Sequence, residues 1–194
     1  MQKTIISLLF MLLSIHCFAI SKEQWVKNCE EKWEVKKTCA AIKERLRAKD
    51  WQQSYEKLSS ITELDLSNKG ISDISPLEGF TNISIIKLFN NQIVDISALS
   101  SLTNLTWVFL NRNFVSDLSP LADLDSLQVV NLRFNQITSV APLANLKLSW
   151  LGLGFNKIED FSPIEHLGLD CGQETQDISS AAAYRKKNNL KGQS

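Results

Sequence analysis

Residues 105–126 read LTWVFLNRNFVSDLSPLADLDS, and the same pattern recurs through most of the chain. Copies occupy residues 61–82, 83–104, 105–126, 127–147 and 148–169, so the period is 22 residues, with one residue missing from the fourth copy. Positions 1, 4, 6 and 11 are aliphatic in every copy, and position 9 is Asn in all but the first, which has Lys69. Self-similarity at a period of this length indicates a stacked solenoid.

Each column of the repeat has a physical reason. Positions 4 and 6 are two residues apart and therefore face the same side of a short strand, toward the core. Stacking the copies predicts a parallel sheet, and the recurring prolines predict turns and short 3-10 segments on the opposite side. An inward Asn at position 9 both donates and accepts, so it can satisfy backbone groups where the chain turns. This structural role is predicted for Asn91, Asn113, Asn135 and Asn156.

These columns form the L-x-x-L-x-L-x-x-N-x-L signature of leucine-rich repeats. Residues 61–169 resemble the repeats of bacterial internalins, with Asp-Ile-Ser-Pro-Leu at 73–77 and Asp-Leu-Ser-Pro-Leu at 117–121. The repeats of eukaryotic phosphatase regulatory subunits are similar in spacing. The resemblance implies an α/β leucine-rich repeat solenoid with a parallel sheet on a concave, ligand-binding face and a helical N-terminal cap. It names no particular ligand.

The first 19 residues have the pattern of a secretory signal peptide. Lys3 precedes an apolar run from Ile5 to Phe18, and small residues at Cys17 and Ala19 suit a signal peptidase. A membrane anchor is the alternative, but the run is shorter than the roughly 20 residues that a spanning helix needs. We therefore expect cleavage after Ala19 and a mature chain that is secreted, periplasmic or on the cell surface, without a membrane span.

Residues 20–60 are charged and follow a helical period. Trp25, Cys29 and Trp33 recur every four residues, and a second stripe lies out of phase with them, at Val35, Cys39, Ile42 and Leu46. We expect two helices with a break near residues 36–38, together covering the first edge of the sheet as a cap. A helical docking module is the alternative. Residues 170–194 are expected to form a C-terminal cap or tail.

Three cysteines remain once Cys17 leaves with the signal peptide. Cys29 and Cys39 would lie about 15 Å apart on one straight helix, too far to bond, whereas a turn between them would allow a disulfide. Three buried free thiols are the alternative, and the role of Cys171 stays open. No Cys or His has the spacing of a metal ligand pair, so no metal is expected.

The outward strand positions are the candidate ligand site, because no core requirement dictates them. Trp107, Phe109 and Trp150 form its predicted centre, and the predicted site also includes Phe89, Lys87, Arg112, Arg133 and Asn131. Exposed aromatic residues beside Arg are typical of protein-binding hot spots. The alternative is that the aromatic rings only cover one another and stabilise the sheet. Phe134 and Phe155, at position 8, could face the ligand or the core. Gly152 and Gly154 predict a slot beside Trp150.

The chain has 21 Lys+Arg and 21 Asp+Glu, and this neutral balance argues against a dedicated nucleic-acid binder. No nucleophile elbow, zinc-protease helix or phosphate-binding glycine loop occurs, so neither an enzyme nor a cofactor is expected. We expect a non-enzymatic recognition protein that binds a protein partner through its concave aromatic face. One alternative is a carbohydrate-binding module, with Trp107 and Trp150 stacking on sugar rings. The other is a regulatory subunit of a cytoplasmic enzyme, which the signal peptide opposes.

Overall fold

The computed structural model describes residues 20–168. The expected signal peptide, the tail 170–194 and Cys171 lie outside these residues. Within the described part, no helix combines the length and the hydropathy that crossing a membrane requires.

Within residues 20–168, three helices precede five short strands. The helices are α1 (Lys22–Glu31), α2 (Trp33–Arg45) and α3 (Trp51–Leu58). The strands are β1 (Glu63–Asp65), β2 (Ile85–Lys87), β3 (Trp107–Phe109), β4 (Val129–Asn131) and β5 (Trp150–Gly152). A 3-10 segment follows each strand, at Ser75–Leu77, Ser97–Ser101, Ser119–Leu121, Ala141–Leu143 and Ser162–Leu167.

The strands form one parallel sheet in the order β1-β2-β3-β4-β5. Pairing is in register with the repeat, so that Leu64 faces Ile86 and Val108 faces Val130. The aliphatic side chains at positions 4 and 6 are buried in every repeat, and together with position 11 they form a continuous core. The predicted solenoid, with its parallel sheet and its 3-10 segments on the other side, is confirmed.

A buried Asn joins successive repeats behind the sheet. The Oδ1 of Asn113 accepts from the backbone N–H of Ile93 at 3.0 Å, and its Nδ2 donates to the carbonyls of Leu88 and Leu110. Asn91, Asn135 and Asn156 make corresponding bonds. Each amide therefore satisfies backbone groups of two neighbouring repeats, which the turn would otherwise leave buried and unpaired.

The helix break in the cap lies at Lys32, and the predicted break near residues 36–38 is wrong. Lys32 has extended backbone (φ −87°, ψ 115°), and α2 runs unbroken through Lys36 and Lys37. The buried Thr38 side chain donates to the carbonyl of Asp73, which fixes that part of α2 against the first repeat. Trp33 therefore begins a new helix and is 79% exposed, so it does not continue the buried face of Trp25 and Cys29.

The cap and the first repeat share one core. The ring of Trp25 meets the rings of Tyr55 and Phe80 edge-on, and its Nε1 donates to the carbonyl of Pro76 at 2.7 Å. Lys69, which replaces the ladder Asn in the first repeat, instead reaches Glu44 of α2 at 2.9 Å. The atypical residue of the terminal repeat thus contacts the cap.

The two cysteines of the cap lie on adjoining helices. The turn at Lys32 brings the Cα atoms of Cys29 and Cys39 to 5.6 Å, and the pair has the geometry of a disulfide. This distance is within the usual range for such a bond.

Candidate functional site: the concave face of the sheet

The outward residues of β3, β4 and β5 form a row with two large aromatic residues at its ends. Strand register places Val129 between Trp107 and Trp150. The two tryptophans are 41% and 37% exposed, whereas Val129 is partly buried. Neighbouring strands lie about 4.8 Å apart, so the two indoles rise from backbones about 10 Å apart, on either side of a smaller side chain.

Gly152 gives room to the indole of Trp150 itself. A Cβ at Gly152 would lie 2.6 Å from the Cη2 atom of that ring and 3.2 Å from the Oδ1 of Asn131. The predicted open slot at this glycine is therefore wrong, because the tryptophan ring occupies the space that the missing side chain leaves.

The remaining predicted aromatic residues lie deeper in the same face. Phe109 meets the edge of Trp107, with ring centroids 6.5 Å apart and an interplanar angle of 81°. Both Phe109 and Phe89 are partly buried, so neighbouring side chains cover much of each ring. If the aromatic rings only stabilise the sheet, neighbouring side chains should cover them. Phe89 and Phe109 meet this condition better than the two tryptophans do.

Phe134 and Phe155 face solvent and are not core residues. They are 38% and 43% exposed, and their rings stack with centroids 4.0 Å apart. Both occupy the left-handed backbone region, as do all position-8 residues: Asn68, Asn90, Arg112, Phe134 and Phe155 have φ between 56° and 60°. This conformation costs most side chains roughly 1–2 kcal/mol, and Asn tolerates it better. The first two repeats follow that preference, and the last three do not.

Two arginines lie against the aromatic rings. The guanidinium carbon of Arg112 is 4.8 Å from the ring centroid of Phe134, and that of Arg133 is 5.8 Å from the ring of Trp150. The backbone N–H of Arg133 donates to the Oδ1 of Asn131 at 3.3 Å. Contacts between a guanidinium and an aromatic face orient the charge at small entropic cost.

These side chains lie on or directly after neighbouring strands, and we name the set the arginine–aromatic surface. It consists of Trp107, Phe109, Arg112, Arg133, Phe134, Trp150 and Phe155.

Lys87 lies apart from this surface, at the acidic end of the sheet. Its Nζ is 2.6 Å from the carboxylate of Glu63, and this hydrogen bond raises the pKa of Lys87 above its ordinary value. Asp65 accepts from the backbone N–H of Ser67. The predicted site residue Lys87 is therefore engaged within the sheet, whereas Arg112 and Arg133 contact rings.

Sequence reasoning missed one signal and one residue. The missed signal is the change at position 8 from Asn to Arg and Phe at the third repeat, which sets Phe134 and Phe155 apart although it does not decide whether they face solvent. The missed residue is Phe114, which lies two residues after Arg112, outside the strand, and is exposed. Residues 20–168 contain no cluster of three His, Cys, Asp or Glu side chains that could hold a metal ion.

Comparison with known families and structures agrees with this architecture. The family model described as Leucine Rich repeats (2 copies) matches residues 59–101 and 103–145. An internalin C2 structure from Listeria monocytogenes is 27% identical with a TM-score of 0.54, covering 68% of this chain and 69% of that chain. The search of curated proteins finds no match.

Two further structures are similar over smaller shares of their own length. An internalin (inlF) from Listeria monocytogenes is 28% identical with a TM-score of 0.46, covering 69% of this chain and 54% of that chain. A leucine-rich repeat protein of Leptospira interrogans is 20% identical with a TM-score of 0.54, covering 69% of this chain and 36% of that chain. The chain thus spans about two thirds of the first structure, about half of the second and about a third of the third. From its repeats and its likeness to internalin C2, the chain is an internalin-like leucine-rich repeat protein.

Proposed function

We propose that this protein is a non-enzymatic recognition protein that works outside the cytoplasm and binds a protein partner through the arginine–aromatic surface. The observation that carries the proposal is the exposure of Trp107, Phe134, Trp150 and Phe155, which lie on or directly after neighbouring strands of the sheet. The signal-peptide pattern of residues 1–19 supports export.

Core packing gives no reason for these four aromatic side chains. Positions 4 and 6 already fill the interior with aliphatic residues, and the aromatic residues stand on the opposite side of the strands or directly after them. A contiguous apolar surface on a folded chain usually marks an interaction site. Aromatic and arginine side chains are the types that contribute most to binding energy at protein interfaces.

A capture experiment with matched variants tests this proposal. The purified protein serves as bait for surface and extracellular protein extracts, beside the double variant Trp107→Ala/Trp150→Ala and the control Trp33→Ala. The control removes an exposed tryptophan from the cap, away from the sheet. Thermal unfolding of each variant checks that the fold is intact. We expect a partner that the wild type and the control retain and the double variant loses.

Two other outcomes would count against the proposal. Equal capture by all three proteins would move the binding site away from the concave face. Unfolding of the double variant, with no binding change in a milder Trp150→Phe variant, would assign the tryptophans a stabilising role only.

The carbohydrate alternative would require open indole faces. Arg133 lies over the ring of Trp150, and Trp107 contacts Phe109, so part of each indole is already covered. These contacts weigh against sugar stacking. Binding to immobilised glycans, lost in Trp107→Ala/Trp150→Ala, would favour the carbohydrate function instead.

A further inference from the structure

Building on the proposed recognition role, we infer that the partner presents an acidic segment, in which carboxylate side chains alternate with apolar ones, to the arginine–aromatic surface. The inference rests on charge distribution, on the contacts of the two arginines, and on the chemistry that such a pair recognises.

Charge is segregated between the two sides of the last three repeats. Arg112 and Arg133 are the charged residues on or directly after β3 to β5. Every acidic residue of repeats three to five within the described chain lies outside β3 to β5, in the segments that follow these strands, at Asp117, Asp123, Asp125, Glu159, Asp160 and Glu165. The concave side is therefore locally positive on a repeat region whose overall balance is acidic.

The two arginines have no carboxylate partner within the described residues. Lys87 and Lys69, in contrast, pair with Glu63 and Glu44 at 2.6 and 2.9 Å. The guanidinium groups of Arg112 and Arg133 instead lie against Phe134 and Trp150. The Nε of Arg133 is buried without a hydrogen-bond acceptor among the described residues. A charge that no internal acid neutralises remains available to an acid from outside.

The backbones of the two arginines are also neighbours. The backbone N–H of Arg112 donates to the carbonyl of Arg133 at 2.8 Å, so the residues stand on adjacent repeats. Two guanidinium groups on adjacent repeats can bind one or two carboxylates through paired N–H donors, a geometry that lysine does not offer.

The surrounding rings define the rest of the segment. Trp107 and Trp150 flank Val129, and Arg133 lies over the ring of Trp150. Arg112 lies over the ring of Phe134, which stacks on Phe155. Apolar side chains next to the carboxylates would contact these rings and exclude water from the ion pairs, which strengthens them. The complementary ligand is therefore acidic and apolar together, since acidity alone would leave the rings uncovered.

Selection from a phage library of random linear peptides tests the inference. The intact protein is the target, and phage that also bind Trp107→Ala/Trp150→Ala are discarded. We expect the remaining peptides to be enriched in Asp and Glu beside apolar residues. Synthetic copies should lose about tenfold or more in affinity toward Arg112→Gln/Arg133→Gln, and their binding should weaken as NaCl rises.

A second double variant controls for net charge. Lys147→Gln/Lys157→Gln removes the other two cations of the same repeats, both exposed and outside the strands, and should leave peptide affinity unchanged. Equal losses in the two double variants would overturn the inference, because nonspecific attraction would then explain the acidic preference.

The inference and the proposed function fail in different ways. Neutral or basic peptides that depend on the tryptophans but not on the arginines would overturn the acidic ligand and leave the concave recognition site standing. A library that yields no tryptophan-dependent peptide would overturn the linear acidic segment, while the capture experiment decides the recognition role by itself.

Discussion

At the scale of single residues, position 8 shows a conflict between backbone preference and side chain. Asn68 and Asn90 occupy the left-handed region, and their side chains hydrogen-bond to each other at 2.8 Å. Phe134 and Phe155 adopt the same backbone without such a bond and with their rings exposed. Strain that core packing does not explain is typical of binding sites.

Replacement of Phe155 by Asn separates stability from binding. The variant should lose a ring stack of about 0.5–1.5 kcal/mol and relieve backbone strain of similar size, so its unfolding free energy should stay within about 1 kcal/mol of wild type. Affinity for the captured partner should fall, by about 1 kcal/mol or more. Urea unfolding and binding titration measure the two quantities. Lost stability with unchanged affinity would assign the ring to folding.

Replacement of Asn113 by Ala should instead lower the unfolding free energy. It leaves the N–H of Ile93 without a partner inside the core and removes one of the two amide donors from each of the carbonyls of Leu88 and Leu110. A buried unsatisfied group costs about 1–3 kcal/mol, so we expect a loss of about 1–3 kcal/mol in unfolding free energy. The control is Asn111→Ala, on the outward side of the same repeat, which should change stability by less than about 0.5 kcal/mol. Similar losses in both variants would refute the amide-ladder explanation.

At the scale of elements, the cap depends on the turn between α1 and α2. Extended backbone at Lys32 lets the two helices fold together, so Trp25, Cys29, Val35 and Cys39 are buried together. A single helix through this region would separate the cysteines and expose one of the two apolar stripes.

Thiol labelling checks the cap disulfide. In the unfolded, unreduced mature chain we expect one reactive thiol, Cys171, and three after reduction; three without reductant would show that Cys29 and Cys39 are not bonded. Removing the bond with Cys29→Ser/Cys39→Ser should lower the unfolding free energy by about 2–3 kcal/mol, as expected for a loop of this length. Circular dichroism during thermal unfolding measures the loss.

At the scale of the whole molecule, the two sides of the solenoid carry different chemistry. On the turn side the same hydrogen bond recurs, in which an Asp carboxylate accepts from the backbone N–H two residues later, at Asp73, Asp95, Asp117 and Asp160. The sheet side carries aromatic residues and arginine in its last three repeats. Because each repeat contacts only its neighbours, the surface residues can differ from one repeat to the next without disturbing the core.

The turn at Asp117 predicts lower stability in acid. The backbone N–H of Ser119, and then its hydroxyl, lower the pKa of Asp117 below the ordinary value. A carboxylate with a depressed folded-state pKa stabilises the fold fully above its unfolded pKa, and this contribution is lost as pH falls through the folded value. Urea unfolding at several pH values should show the decline, and it should be smaller in Asp117→Asn. The control is Asp125→Asn, which removes an exposed carboxylate without a hydrogen-bond partner in the described chain and should show the same decline as wild type. A decline reduced as much as in Asp117→Asn would contradict the explanation.

The candidate site could be predicted in part. Trp107 and Trp150 were identifiable from the outward strand positions, because alternation along a strand is a local rule. The exposure of Phe134 and Phe155 was not, because position 8 follows the strand, where alternation ends and backbone conformation decides direction. The pairing of Lys87 with Glu63 also depends on which residues the register brings together across two repeats.

The repeat, its sheet and the buried Asn column can be read from the sequence alone, because each of these follows from a pattern that recurs at short range and is reinforced in every copy. Tertiary structure alone decided the break at Lys32, the filling of the space over Gly152 by Trp150, and the placement of Arg112 and Arg133 on aromatic rings. Each of these occurs once and depends on contacts between residues far apart in the chain or on adjacent repeats. A periodic pattern in the sequence does not encode such contacts.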